Sequence, residues 1–192
     1  MNQEYFEGKV FEKIIFSDQK LATGDYENCT FNNCDFSNAN LSKFSFVDCQ
    51  FSVCNLSSIQ TNNTCFQEVV FSDCKLVGIH FENCNPFGFS VQFNDCQLNH
   101  SSFYKVQMTD SFFLNTNLTE VDFTETDLTN STFKNCDFSK ALFDNSKLIK
   151  ADFSSSTNYQ INPEKNQIKG AIFSIPEVIG LLKDYGIKVL NN

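Results

Sequence analysis

The chain of 192 residues contains no tryptophan and no arginine, and it has only 7 glycines, 3 prolines and 2 histidines. Arginine makes the best bidentate contacts with phosphate and guanine, so its absence argues against direct nucleic-acid binding. Scarce glycine and proline argue against a disordered linker. His80 and His100 belong to no recognisable triad, and no phosphate-binding glycine-rich loop or HExxH motif is present. The sequence therefore predicts no catalytic residues, no cofactor and no enzymatic activity.

Long apolar runs are missing as well. No segment approaches the length that spans a bilayer, and the N-terminus lacks a basic region followed by an apolar stretch. We therefore expect a cytoplasmic protein without membrane association. Nine cysteines, an odd number, in a reducing compartment favour free thiols over a disulfide framework.

Phenylalanine, in contrast, is abundant, with 23 residues, and it recurs at a period of five. Steps of five from Phe6 to Phe81, and again from Phe93 to Phe153, meet a large apolar side chain at every position except Thr61. The residue two places before each of these centres is usually small, and the other three are mostly polar. This pattern matches neither the 3.6-residue period of a helix nor the 2.0-residue period of a strand, so it predicts a chain that turns a corner every five residues.

The pattern resembles that of the pentapeptide-repeat proteins. The resemblance implies an all-β fold, a right-handed quadrilateral β-helix in which four repeats form one coil and the central residue of each repeat points inward. We expect this β-helix over residues 1–173, with about eight coils and a length of about 40 Å. Every fourth centre falls on one side of the rod, and that column consists of phenylalanine alone: Phe11, Phe31, Phe51, Phe71, Phe93, Phe113, Phe133, Phe153 and Phe173.

The register of the repeat shifts once, by two residues, between 82 and 92. Phe87 and Phe89 are left there without repeat positions, beside a turn from Pro86 to Gly88. They either fold inward over the interruption or are presented to a partner, so both are candidates for partner binding. The coil over 154–172 is also irregular, although the separation of Phe153 from Phe173 is still that of a full coil.

Residues 174–192 change period. Ser174 and Glu177 form a candidate capping box and Gly186 a helix stop, so we expect a short capping α-helix, followed by a short strand at 187–190. One stripe of this helix is apolar and consists of Val178, Leu181, Leu182 and Tyr185. Resemblance to the gyrase-interacting members of the family implies that this stripe forms a homodimer. The alternative is that it caps its own rod.

Most of the cysteines fall at the small inward position of the repeat. Four of them precede centres on one side of the rod and are expected to form a column of small buried side chains: Cys34, Cys54, Cys74 and Cys96. A row of parallel thiols is not the tetrahedron that zinc prefers, and no histidine joins it, so no metal site is predicted. Cys65 lies at an outward position, where a thiol is accessible to reagents.

The net charge is −9, from 23 acidic residues against 14 lysines. Between Lys105 and Lys134 there are five acidic residues and no base, all at outward positions: Asp110, Glu120, Asp122, Glu125 and Asp127. Such an acidic face either attracts a basic groove on a partner or simply keeps a very apolar rod in solution.

The gyrase-protecting members of the family, the Qnr-type and microcin B17-immunity proteins, share this repeat, the C-terminal helix and an acidic rod. The resemblance implies a DNA-mimicking rod that binds a type II topoisomerase, DNA gyrase or topoisomerase IV, and protects it from quinolones or peptide toxins. The alternative is a structural or protein-interaction scaffold with an unrelated partner, because a fold does not fix a function.

Overall fold

The computed structural model describes residues 4–17, 19 and 21–190. These residues form an all-β parallel solenoid, which confirms the predicted fold class. The strands are short, three or four residues each. In chain order they are β1 Glu4–Glu7, β2 Val10–Glu12, β3 Gly24–Glu27, β4 Thr30–Asn32, β5 Ser45–Val47, β6 Gln50–Ser52, β7 Cys65–Gln67, β8 Val69–Ser72, β9 Val91–Asn94, β10 Phe112–Leu114 and β11 Thr132–Lys134.

The strands stack into two parallel sheets on two sides of the rod. One sheet has four strands in the order β1-β3-β5-β7, and the other has seven in the order β11-β10-β9-β8-β6-β4-β2. The remaining two sides are ladders of isolated bridges, such as Ile15 with Asp35 and Asn40 with Gln60. Each residue therefore pairs with the residue one coil further along the chain.

The core is a stack of aromatic rings along the rod axis. Phe31 and Phe51 lie 4.6 Å apart between ring centroids, with an interplanar angle of 9°. Rings on adjacent sides meet edge to face, as Phe31 and Phe46 do at 5.8 Å and 82°. Both arrangements are favourable for aromatic pairs. The stacked rings therefore stabilise the contact between successive coils, and the edge-to-face rings stabilise the contact between adjacent sides of the rod.

Each corner of the rod is made by a residue in the left-handed backbone region, two places after a centre. Asn28, Asn33 and Asn38 are examples, with φ of 52°, 54° and 59°. Asparagine and aspartate tolerate this conformation better than other residues with a Cβ atom. This explains how the chain turns sharply with so few glycines.

The strand-bearing part of the solenoid has about six turns, from β2 to β11, which corrects the expectation of eight coils. Beyond β11 the same side continues only as isolated bridges, Thr132 with Asp152 and Asp152 with Ile172. Phe153 still stacks on Phe173, with ring centroids 5.4 Å apart. The core column therefore extends further than the regular strands do.

Residues 174–190 contain no α-helix, so the predicted capping helix is wrong. Two short 3-10 helices, Glu177–Leu181 and Lys183–Tyr185, take its place, and a third 3-10 helix lies at Phe81–Asn83. The carbonyl of Gly180 accepts a hydrogen bond from the amide of Ile161, at 3.3 Å, rather than from a residue of its own segment. The Cα of Gly180 also faces the carbonyl of Tyr159 so closely that no side chain fits.

The predicted strand at 187–190 is likewise not formed, because these residues have no regular secondary structure. Nothing in the described part of the chain pairs with them as a neighbouring strand. A helix that is long and apolar enough to cross a membrane is not found among the described residues.

Candidate functional site

Asp127 departs most from the prediction of an outward acidic face. The residue is buried, with 8% of its surface exposed. One carboxylate oxygen of Asp127 accepts hydrogen bonds from the amide and hydroxyl of Thr129, and the other lies 3.1 Å from Nζ of Lys147. Burial raises the pKa of Asp127, but these hydrogen bonds and the ammonium group outweigh it and hold the pKa below its usual value. Asp127 is therefore a buried residue whose carboxylate is bound by neighbouring groups of the rod.

Two other acids of the predicted face are also paired with bases. Glu120 lies 2.9 Å from Nζ of Lys140 and 3.1 Å from Nδ1 of His100. The hydrogen bond and charge of Lys140 hold the pKa of Glu120 below its usual value. Glu125 lies 3.5 Å from Nζ of Lys105. Each lysine is one coil away from its acid, so a stretch without bases in the sequence is partly neutralised in the structure.

The remaining two acids of that face have no ion pair in the described part of the chain. Asp110 is exposed and accepts a hydrogen bond from the side-chain amide of Asn130 at 3.2 Å. Asp122 is half-buried and accepts one from the amide of Thr124 at 2.8 Å. The predicted acidic face is thus reduced to these two carboxylates.

A second row of acids lies along the edge that follows the four-stranded sheet. Asp48 and Glu68 occupy the corner position there in successive coils, and Asp110 occupies it two coils after Glu68, with φ of 52°, 51° and 58°. All three are exposed, and none of them has an ion pair with another described residue. The sequence contains the signal for this row, because the three residues recur at the coil spacing, but a linear count of charges misses it.

The loop that carries the two-residue register shift interrupts this edge between Glu68 and Asp110. Phe71 consequently pairs with Phe93, while Phe51 pairs with Phe71. A Cβ atom at Gly88 would lie 3.1 Å from Oε1 of Gln67, the residue before Glu68. The loop therefore lies beside this edge, and we call Asp48, Glu68, Phe87 and Asp110 together the Phe87 edge.

The two aromatic residues of the loop have different environments. Phe89 is half-buried and packs edge to face on Phe81, with ring centroids 6.2 Å apart. It fills the place of the missing inward centre. Phe87, in contrast, has 84% of its surface exposed. All 23 phenylalanines lie in the described residues, and Phe87 is the one that is exposed.

The C-terminal segment exposes a second apolar surface. Of the predicted stripe, Val178 and Leu181 are half-buried, whereas Leu182 and Tyr185 are 38% and 47% exposed. Leu182 also lines an open cleft of about 330 Å³ together with Ile179, Lys183, Ile187 and Val189. The stripe is therefore divided between the inside of the rod and its surface.

The cysteines have a role at the inward corners that the sequence analysis did not identify. The thiol of Cys54 donates to the carbonyl oxygen of Phe31, with Sγ 3.4 Å away, and the hydroxyl of Thr126 donates to Phe103 at 2.7 Å in the same way. Several cysteine, serine and threonine side chains at this position donate the bond, whereas Val121 and Ala151 fill the same position without a donor. Burial raises the pKa of Cys49 to about 12, so this thiol stays protonated. Cys65 is half-buried, and the other eight cysteines are buried.

No group of histidine, cysteine and carboxylate side chains in the described residues is arranged to hold a metal ion. The two histidines are exposed, and each contacts a glutamate: His80 lies 2.9 Å from Glu82 and His100 lies 3.1 Å from Glu120. Neither of these contacts includes a nucleophile.

A search of curated proteins gives no match. Solved structures that match include QnrB1, a plasmid-mediated fluoroquinolone resistance protein, at 15% identity over 96% of this chain and 100% of that chain, with a TM-score of 0.46. HetL, a pentapeptide repeat protein involved in heterocyst differentiation regulation from the cyanobacterium Nostoc sp. strain PCC 7120, matches at 12% identity over 88% and 87%, with a TM-score of 0.49.

The family comparison covers most of the repeat. The model of the pentapeptide repeat region matches residues 24–86 and 89–163, which is more than half of the chain. Its two segments meet at the loop of Phe87, where the repeat register shifts. The chain therefore belongs to the pentapeptide-repeat family.

Proposed function

We propose that this protein is a non-enzymatic, DNA-mimicking rod that binds a type II topoisomerase, DNA gyrase or topoisomerase IV, and protects it from quinolones or peptide toxins. The proposal rests on the amount of negative charge per unit length of the rod. The family contains proteins of this kind, and the surface of the rod offers carboxylates rather than a catalytic constellation.

The charge is concentrated in the middle of the rod. Residues 24–133 contain 13 acidic residues and 3 lysines, whereas residues 1–23 contain 4 and 3, and residues 134–192 contain 6 and 8. Lys140 and Lys147 reach back to Glu120 and Asp127, which leaves a net charge of −8 for the middle segment together with these two lysines. This segment forms about five and a half coils, so it is about 26 Å long at ~4.8 Å per coil.

Eight charges over this length correspond to about one charge per 3 Å. Duplex DNA carries one per ~1.7 Å of its axis, so the middle of the rod has roughly half the linear charge density of DNA. A basic groove that holds duplex DNA is attracted to such a rod by the same field. The two ends of the rod are close to neutral, so binding is expected at the middle.

Purified DNA gyrase tests the proposal. The protein should inhibit supercoiling in competition with DNA, or preserve supercoiling in the presence of a fluoroquinolone, and it should act less at high salt because the attraction is electrostatic. A variant with both Asp110→Lys and Asp122→Lys should lose most of the effect, since these two acids of the predicted face are not neutralised. Wild-type protein that neither inhibits nor protects at micromolar concentration contradicts the proposal.

A scaffold that binds an unrelated partner remains the second candidate, and the ion pairs of the predicted acidic face favour it. Glu120, Glu125 and Asp127 are held by lysines of neighbouring coils, which is the arrangement of a solvated, self-stabilising surface. If gyrase is unaffected while the rod remains folded and monodisperse, this candidate takes the place of the first.

We also propose that the protein forms a homodimer through the C-terminal segment. Leu182 and Tyr185 are exposed there, together with Ile175 at 89% and Leu190 at 81%. Several exposed apolar side chains in the terminal segment of a solenoid are typical of an interface rather than of a free end. Val178 and Leu181, which are half-buried, support the segment from below.

A further inference from the structure

Phe87 is the most exposed aromatic side chain in the described part of the rod. Its exposed fraction of 84% compares with 57% for Tyr5 and 47% for Tyr185. The large aromatic residues of protein interfaces act as anchors when they enter a pocket on the partner. A benzyl side chain that projects from a rod whose other phenylalanines are covered is therefore a candidate anchor.

The loop around Phe87 is held in place at both ends. The amide of Asn85 donates to the carbonyl of Thr64 at 2.9 Å, and the amide of Ser90 donates to the carbonyl of Phe66 at 2.9 Å. Within the loop, the amide of Phe87 donates to the side-chain oxygen of Asn85 at 3.0 Å. The ring is thus presented by a fixed backbone, and little conformational freedom remains to be lost on binding.

The surroundings of Phe87 indicate the charge of the partner. Glu68 and Asp110 occupy the corner position before and after the loop, and Asp48 lies one coil before Glu68. Of the three lysines of the middle segment, Lys75 is in the ladder with Asn55 and Lys43 lies at a different corner. Lys105 lines a pocket beside the loop, and its ammonium group is paired with Glu125. A partner that approaches this edge meets an exposed apolar ring and carboxylates that have no ion pair.

We propose that the Phe87 edge is the docking surface, and that its partner offers an apolar pocket rimmed by lysine or arginine side chains. This proposal rests on the proposed function, in which the partner is the basic surface of a type II topoisomerase. Phe87 fixes the position of the rod along the groove, and the carboxylates guide the approach. A rod that binds through charge alone can occupy many positions along a basic groove. An aromatic ring that enters a pocket fixes the rod at one of these positions.

Binding to immobilised, purified DNA gyrase separates these two contributions. Phe87→Ala should weaken the equilibrium affinity at least tenfold, mainly through faster dissociation. A variant with both Glu68→Lys and Asp110→Lys should slow association about tenfold and reduce its salt dependence. Both changes are structurally mild, because the ring is exposed and because Lys105, Lys140 and Lys150 already occupy the equivalent corner position with similar φ.

Two controls match these variants. Val10→Ala removes an apolar side chain that is 71% exposed on the nearly neutral first coil, and Asp144→Lys reverses a charge in the basic third of the chain. Both should bind within twofold of wild type. The thermal unfolding midpoint of every variant is measured alongside, and it should not change for Phe87→Ala.

The outcomes are distinct. Gyrase that binds the wild type and both controls, but binds Phe87→Ala tenfold more weakly, supports the docking surface. Wild-type binding with Phe87→Ala within twofold overturns the docking surface and leaves the proposed function in place. An equal loss of affinity with Val10→Ala also overturns the docking surface, because the loss is then not specific to Phe87. Wild-type protein that does not bind gyrase overturns both proposals.

Discussion

At the scale of single residues, the repeat is governed by two positions besides the apolar centre. The corner residue adopts a left-handed conformation, and the inward residue is small and in many repeats donates a hydrogen bond to the coil below. The thiol of Cys34 and the hydroxyl of Ser146 both make this bond, to Phe11 and Phe123 respectively. The sequence shows the small size that this position requires, but the hydrogen bonds become visible only when the coils are stacked.

Val53 is the corner residue that suits its position least. It has φ of 56°, which places a β-branched side chain in the left-handed region, and 55% of it is exposed. We expect Val53→Asn to raise the free energy of unfolding by about 1 kcal/mol, because the strain is relieved without loss of buried area. Urea unfolding measures the change. The matched control is Asn33→Val, one coil earlier at the same corner, which should lower stability by a similar amount.

The buried thiols predict a loss of stability at alkaline pH. Burial raises the pKa of Cys49 to about 12 and that of Cys136 to about 11, above the value of about 8.5 in an unfolded chain. The folded state thus favours the protonated thiol. The stabilisation that these thiols contribute to the folded state is fully present below pH ~8.5 and is lost as pH rises through 11 and 12. The free energy of unfolding in urea should fall between pH 8.5 and 11.

The control for this prediction is Cys136→Ser, because serine already fills the same repeat position at Ser131 and Ser146. Its hydroxyl does not titrate in this range, so the variant should lose less stability over the same interval. A free energy of unfolding that stays level up to pH 11 in the wild type contradicts the assignment.

At the scale of elements, the five-residue period predicted the corners and sides of the rod, because spacing assigns each residue to a corner or a face, and the family resemblance supplied the all-β fold. It failed at the C-terminus. Ser174, Glu177 and Gly186 are local helix signals, but the bond from Ile161 to the carbonyl of Gly180 is a tertiary contact that local signals do not contain. The ion pair of Lys147 with Asp127 was missed for the same reason.

The loop at the register shift separates two roles within one element. Phe89 fills the core beside Phe81, and Phe87 is exposed. We expect Phe89→Ala to lower the free energy of unfolding by about 2 kcal/mol, because it opens a cavity where a centre is missing. Phe87→Ala should change it by less than about 0.5 kcal/mol. Chemical denaturation of the two variants provides a direct comparison, and equal losses would show that the two rings share one environment.

At the scale of the whole molecule, the exposed apolar residues of the C-terminal segment predict a dimer. We expect a single charged substitution in this segment to dissociate it. Leu182→Asp places a carboxylate in the exposed cleft, so the variant should be a monomer by light scattering where the wild type is a dimer. Leu142→Asp is the matched control, since Leu142 is 58% exposed on the side of the rod. A wild-type protein that is already monomeric at high micromolar concentration would refute the dimer.

Residues that pair between neighbouring coils are separated by a nearly constant number of residues in the sequence, and this affects the folding rate. Phe31 pairs with Phe51, and the offset stays at one coil apart from the step from Phe71 to Phe93. Relative to the chain length, this separation gives a contact order of about 0.1, in the range of helical bundles rather than of β-sandwiches. Every coil closes a loop of similar entropy, so assembly can start at any well-packed coil and propagate both ways. An all-β protein of this kind should fold on the millisecond scale typical of helical proteins.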